Sequence, residues 1–258
     1  FLWIAELLET HWPWIRRLKP VEVIELFRET VEMEMDLRME AAAASELAQN
    51  FEHDPGFRVP KIDWSRTTAR VMTVERVHGT RIDDLESLIE QGQEPTEILR
   101  RAATAFFNQV FRDGFFHADM HPGNAFVDTE GRVVPVDFGI MGRLDQKTRY
   151  YLADMLTGFL TGDYRKVAEV HFRAGYVPAH KSVEAFTQAC RSIGEPLLGR
   201  PLNEISVARL LAQLFRITEQ FEMETQPQLL LLQKTMVVAE GVGRTLNPDV
   251  NMWELPRP

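Results

Sequence analysis

The sequence predicts an α+β fold that is predominantly helical, with a small strand-bearing part and one long helix preceding a large helical part. Three observations carry this. The run over 21–51 is rich in Glu, Ala, Leu and Met and holds no Gly or Pro. Two β-branched, alternating runs follow, "FRVPKIDW" at 57–64 and "ARVMTVERV" at 69–77. From Gln146 onward the apolar residues recur at helical spacing, interrupted only by short breaks. At 258 residues, 45% hydrophobic and 26% charged, the chain suits one large domain or two lobes with a true core.

Taken in order, residues 1–18 read as an amphipathic helix ending near Pro20. The stretch 21–51 reads as the longest helix, and it includes the alanine run "EAAAASE" at 40–46. "DPG" at 54–56 is a turn, and the two strand-like runs after it are joined by polar "SRT". "HGTRIDDL" turns into a helix with Asp83 as its N-cap. A helix over 97–113 carries Ala102, Ala105, Phe106 and Val110 on one face, and Gly114 stops it. A loop, the strand "AFVD", the turn "TEG" and the strand "VVPVDFG" come next. Later helices break at "GDY" (162–164), "AGYVP" (174–178), "GEP" (194–196), "LGRP" (198–201) and "NPDVN" (247–251).

A net charge of -9 without a basic stripe argues against nucleic acid as a partner, since phosphate binding draws on clustered Lys and Arg. The single cysteine, Cys190, excludes an internal disulfide and a Cys-based metal site, and reads as a small core residue. No signal peptide is visible, and no apolar run reaches the roughly 18 to 20 residues needed to span a bilayer. The nearest approach, "LLLLQKTMVVAEGVG", is broken by Gln233, Lys234 and Glu240. A start at Phe1 in mid-helix and an end at "MWELPRP" suggest a piece of a longer protein.

The chemistry concentrates in "FFHADMHPGNAFVDTEGRVVPVDFG", Phe115 to Gly139. Pro122 and Gly123 force a tight loop between Asp119 and Asn124, so both side chains can face one cleft. "VDTEGRVV" turns the chain back, and Asp137 ends the return strand. Carboxylate and amide oxygens suit Mg²⁺, which binds through one or two protein oxygens plus substrate phosphates. A further carboxylate outside the metal shell can orient the attacking hydroxyl or accept its proton. "HADMHPGN" followed by "DFG" matches the ordered kinase signature H-x-D-x4-N … D-F-G. Taken singly, each of these residues could be an ordinary cap or turn residue, and His117 is better suited to organising the loop than to moving protons.

These motifs make the sequence resemble the UbiB-type atypical protein-kinase-like family, the aarF-domain proteins linked to ubiquinone biosynthesis. The family's loop H-A-D-x-H-P-G-N is matched residue for residue, its E-x-D helix motif by Glu34 to Asp36, and its tail by "QPQLLLLQKTMVVAEGVGRTLNPDVNMWE" at 226–254. The resemblance implies a protein-kinase-like fold with a truncated N-lobe (1–78) and a large helical C-lobe (79–258). It implies ATP and Mg²⁺ as cofactors. Asp119 would be the catalytic-loop aspartate, with Asn124 and His117 in the catalytic group, and Asn124 and Asp137 would hold the metal. Glu40 sits where the helix glutamate pairs with the strand lysine. Glu34 and Asp36 would meet the family's extra N-terminal element, although on residue type alone they read as a solvated helix face. Backbone groups around Glu75 and Val77 would form the adenine hinge. His121 stands on the nucleotide side, where ordinary protein kinases carry a lysine, which argues against a protein substrate.

Departures from the pattern matter as well. No Gly- or Ala-rich phosphate loop, no strand lysine and no K-x-G-Q motif precede the long helix, and no "APE"-like segment follows "DFG". The chain as it stands is therefore expected to bind ATP poorly and to turn over little. In the parent protein the family points to ATPase or kinase activity supporting ubiquinone synthesis. Lipid quinone precursors and quinone-biosynthesis proteins would be its partners, at the cytoplasmic side of the bacterial inner membrane. Two alternatives stay open: a small-molecule phosphotransferase of the aminoglycoside or choline kinase type, and a non-catalytic scaffold binding lipid or protein.

Overall fold

The structure is a computed structural model that describes residue 3 and residues 36–196, 207–223, 234–236, 241, 243 and 246. The expected helix over 1–18, the first part of the long helix and Glu34 lie outside the described residues. The chain divides into a smaller unit, 1–49 with 60–76, and a larger one, 50–59 with 77–258.

In the smaller unit, helix α1 (Leu37–Asn50) buries Ala41, Ala44 and Leu47 along one stripe. The sequence reading runs this helix through Asp36, but it begins after it. The Asp36 carboxylate accepts the Arg38 backbone N–H (3.1 Å) and pairs with the Arg38 guanidinium (2.6 Å), closing the helix start. The two strands expected over 57–64 and 69–77 shrink to isolated bridges, of which Ile62↔Val74 and Thr68↔Val71 lie in this unit; the first is the one between the two runs. It is framed by Asp63 N–H to Thr73 O (2.9 Å) and Glu75 N–H to Lys61 O (2.8 Å). Pro60 offers no N–H to extend the ladder, and Asp63 caps a 3₁₀ turn over Trp64–Arg66 that diverts the chain.

The larger unit contains a three-stranded antiparallel sheet in the order β1 (Gly79–Arg81), β3 (Ala125–Asp128), β4 (Val133–Pro135). The β3–β4 hairpin is the one read from the sequence. β1 was read as a turn. It can be a strand because Gly79 lies so close to β3 that a Cβ would fall 2.4 Å from the Val127 carbonyl oxygen. A second pair joins β2 (Phe115–His117) to β5 (Met141–Arg143), with Phe116 opposite Gly142.

Helix α2 (Leu85–Glu90) is capped by Asp84, which accepts from Ser87 N–H at 3.2 Å, and not by Asp83, whose carboxylate is taken by Arg81 at 2.6 Å. Helix α3 (Pro95–Phe107) starts on a proline and continues into a π-helical turn, Asn108–Asp113. Gly114, at φ +68°, ends it in the left-handed conformation. The remaining helices, α4 (Gln146–Thr161), α5 (Tyr164–Arg173), α6 (Val183–Gly194) and α7 (Val207–Gln220), follow the breaks visible in the sequence. Asp145, Asp163 and Ser182 cap the first three. Their core gathers Tyr164, Val167, Ala168, Val177, Phe186, Cys190 and Phe221. Burial pushes the Cys190 thiol up to about 12, as expected of an inert packed cysteine. No helix among the described residues is long and apolar enough to cross a membrane.

Candidate active site

The loop Ala118–Asn124 is hung between the two small sheets. Its entry is fixed by β2 pairing with β5 and by Ala118 N–H on the Ile140 carbonyl (2.9 Å). Its exit runs into β3, with Val136 N–H donating to the Asn124 carbonyl (2.9 Å). Between them Pro122–Asn124 form a 3₁₀ turn, and His121 caps it by accepting Gly123 N–H on Nδ1 at 3.0 Å. The hairpin therefore carries the return strand past the loop, and Asp137 arrives beside Asn124. Asn124 Nδ2 donates to Asp137 Oδ2 at 2.8 Å, while Asp137 Oδ1 accepts Gly139 N–H at 3.0 Å.

His117 ties the two halves together. It is 1% exposed, its Nε2 meets the Asp137 carbonyl oxygen at 2.5 Å, and its Nδ1 meets Asp119 N–H at 3.2 Å. A ring nitrogen that accepts from an amide carries no proton, so the proton sits on Nε2 and is donated to Asp137. Burial lowers the His117 pKa and keeps the ring neutral, against the opposing pull of Asp137 and Asp119. So held, it is placed to fix the backbone at both acidic positions. Phe138 packs against the ring at 6.2 Å between centroids.

Asp119, Asn124 and Asp137 thus belong to one connected network, with Asp119 half-exposed and open to a reactant. Among the described residues no group of three or more His, Cys, Asp and Glu side chains is placed to hold a metal ion. The Asn124–Asp137 pair offers hard amide and carboxylate oxygens, a donor set that fits Mg²⁺ shared with phosphates. Asp36 is engaged with Arg38 of the helix it precedes, and Glu40 is half-buried on α1. Glu75 is exposed and accepts the Lys61 backbone N–H (3.1 Å), and Val77 is half-buried at the start of the larger unit's second segment.

Two residues at this site were missed in the sequence. Gln109 is 1% exposed and its Oε1 accepts His117 N–H at 2.9 Å; the π-helical turn places it there. A polar residue on an apolar helix face was the available signal. Lys234 places Nζ 2.7 Å from Asp119 Oδ1, and in the sequence it is visible only as a break in an apolar run.

Residues 1–171 match the ABC1 atypical kinase-like domain and residues 190–251 match the UbiB helical domain. The curated protein "Probable protein kinase UbiB" of Aliivibrio salmonicida is 44% identical over 259 residues, covering 99% of this chain and 48% of that protein. Its namesake in Marinobacter nauticus is also 44% identical over 259 residues, with 47% of its length covered. The chain spans about half the length of the curated relatives it matches. In fold it is similar to the Rv3197–erythromycin complex from Mycobacterium tuberculosis, at a TM-score of 0.63 and 21% identity, over 90% of this chain and 60% of that one.

Proposed function

Because the chain belongs to the ABC1 atypical kinase-like family and carries its UbiB helical domain, we propose that it forms the Mg·ATP-handling core of an atypical kinase or ATPase. The observation that supports this best is the Asn124–Asp137 hydrogen bond at 2.8 Å, linked through His117 to Asp119. Phosphoryl transfer asks little covalent chemistry of a protein; it asks for positioning and for charge placed where the phosphates will be. Asn124 and Asp137 would hold Mg²⁺, which offsets the negative charge of the phosphate chain. Asp119 orients the attacking hydroxyl or water and receives its proton, and His117 and Gln109 hold the loop beneath it.

On the nucleotide side, Glu34, Asp36, Glu40, His121 and the backbone at Glu75 and Val77 take the roles given by the resemblance to the family. The same resemblance supports ubiquinone biosynthesis as the pathway served, at a membrane surface. The test uses the full-length protein, comparing Mg·ATP turnover and quinone synthesis in the wild type and in Asp137→Asn. Turnover should fall by about 100-fold or more, with the protein still folded by circular dichroism. Retention of both turnover and quinone synthesis in Asp137→Asn would refute the reading and leave a non-catalytic scaffold in its place.

A further inference from the structure

The catalytic loop is held by the helical domain as well as by its own sheets. Thr235, 2% exposed, donates its hydroxyl to the His117 carbonyl at 3.3 Å. Beside it, Lys234 Nζ lies 2.7 Å from Asp119 Oδ1, with side-chain exposures of 51% and 41%. Both residues lie in the helical segment 234–236, inside the stretch that matches the UbiB helical domain, whereas His117 and Asp119 lie inside the ABC1 domain. One domain thus supplies a cation to the central acid of the other.

We propose that Lys234 is a positioning residue for Asp119. Its ammonium fixes the carboxylate rotamer, so that the acid is held ready for the attacking hydroxyl or water. The loop itself has no lysine to do this: position 121 is a histidine whose Nδ1 is spent on capping the 122–124 turn. An ammonium has three donors, so one bond to Asp119 leaves two for solvent. The contact also gives a physical reason for the two domains to occur in one chain, because the site's acid is incomplete without the segment 234–236. This inference rests on the proposed phosphoryl chemistry, and its test separates the two.

In the full-length protein, Lys234→Met should lower kcat for Mg·ATP turnover by about 10- to 100-fold, the usual cost of losing a partner that orients an active group. KM for Mg·ATP should stay within about twofold, because the lost interaction acts on Asp119 and not on nucleotide binding. Lys234→Arg should restore most of the rate, and Lys234→Met should add little in an Asp119→Asn background. An unchanged kcat in Lys234→Met, or a rise in KM matching the fall in kcat, overturns the inference while leaving the proposed function intact. If Asp119→Asn itself leaves turnover unaltered, the functional reading is the part that fails. The pairing is then decided by acylation of Lys234, followed by mass spectrometry. Labelling should quicken about threefold in Asp119→Asn, the size of a half-exposed ion pair, and equal rates overturn the pairing.

Discussion

His117 and His171 are two histidines among the described residues whose protonation the fold resists. His117 is enclosed beneath the loop, and His171 donates to the Val167 carbonyl at 2.8 Å with its ring against Phe186 at 5.1 Å. Burial is the leading cause in both, and it lowers each pKa from the ordinary 6.5. A histidine with a depressed folded pKa costs nothing above the unfolded value. Below 6.5 the unfolded chain takes up protons that the folded chain refuses, so stability falls until the folded pKa is reached. Urea unfolding midpoints should therefore be flat between about pH 7 and 8 and decline below about 6.5, by up to about 1.4 kcal/mol per pH unit for each histidine. The carboxylates act in a lower window. Glu97, held down to about 2 by Arg100 and Arg101, contributes stability that is lost only as pH falls from 4.5 toward 2. His171→Phe keeps the ring packing and should flatten the decline between pH 6.5 and 5. Equal slopes in wild type and variant would show that burial does not hold His171 neutral.

At the scale of the element, helix ends and the β3–β4 hairpin were legible because their signals are local. Gly114 was read as a stop and 162–164 as a break, and Gly114 and Gly162 do end their helices in the left-handed conformation, at φ +68° and +71°, while the caps Asp145, Asp163 and Ser182 were not singled out in the sequence. The Ala118–Asn124 loop was legible for the same reason, with its spacing fixed by Pro122 and Gly123. Strands β1, β2 and β5 were not: each is three residues long, too short for alternation to show, and each exists only through a partner distant in sequence. Adjacent aspartates raise the opposite difficulty, since Asp83 and Asp84 are equal as caps and a tertiary neighbour decides between them. Arg81 takes Asp83, leaving Asp84 for Ser87 N–H. Asp84→Ala should accordingly cost about 1 kcal/mol in chemical denaturation, and Asp83→Ala between 0 and about 1 kcal/mol, the worth of an exposed pair. A larger loss from Asp83→Ala would move the cap back to where the sequence alone put it.

At the scale of the whole molecule, the chain passes between its two units more than once, because 50–59 belongs to the larger unit while the segments on both sides belong to the smaller. Nothing local in the sequence marks such a passage; it is made by long-range pairs. Phe51 and Phe57 pack at 4.5 Å, and Arg112 lies over the Phe51 ring at 5.0 Å while pairing with Asp54 at 2.8 Å. Asn108 Nδ2 donates to Asp54 Oδ1 at 3.2 Å, and Val133 N–H to the Gly56 carbonyl at 3.0 Å. The π-helical turn is what carries both Asn108 and Arg112. These contacts join 50–59 to the hairpin and to the turn that supports the Ala118–Asn124 loop, so loosening the segment should loosen that scaffold. Phe57 is 3% exposed, and Phe57→Ala removes a ring from a packed core, a change that costs about 3–5 kcal/mol. Amide hydrogen exchange reads where that cost falls. Protection should drop together at Val133, whose N–H is held by Gly56, along α3, which lines one pocket with Phe57, and at His117, whose N–H is held by Gln109 of the turn that binds Asp54. The Asp63 and Glu75 amides of the Ile62–Val74 pairing should change less, since their partners lie within the smaller unit. The reverse pattern, with exchange rising at 63 and 75 while 133 stays protected, would place 50–59 with the smaller unit and detach it from the support of the 118–124 loop.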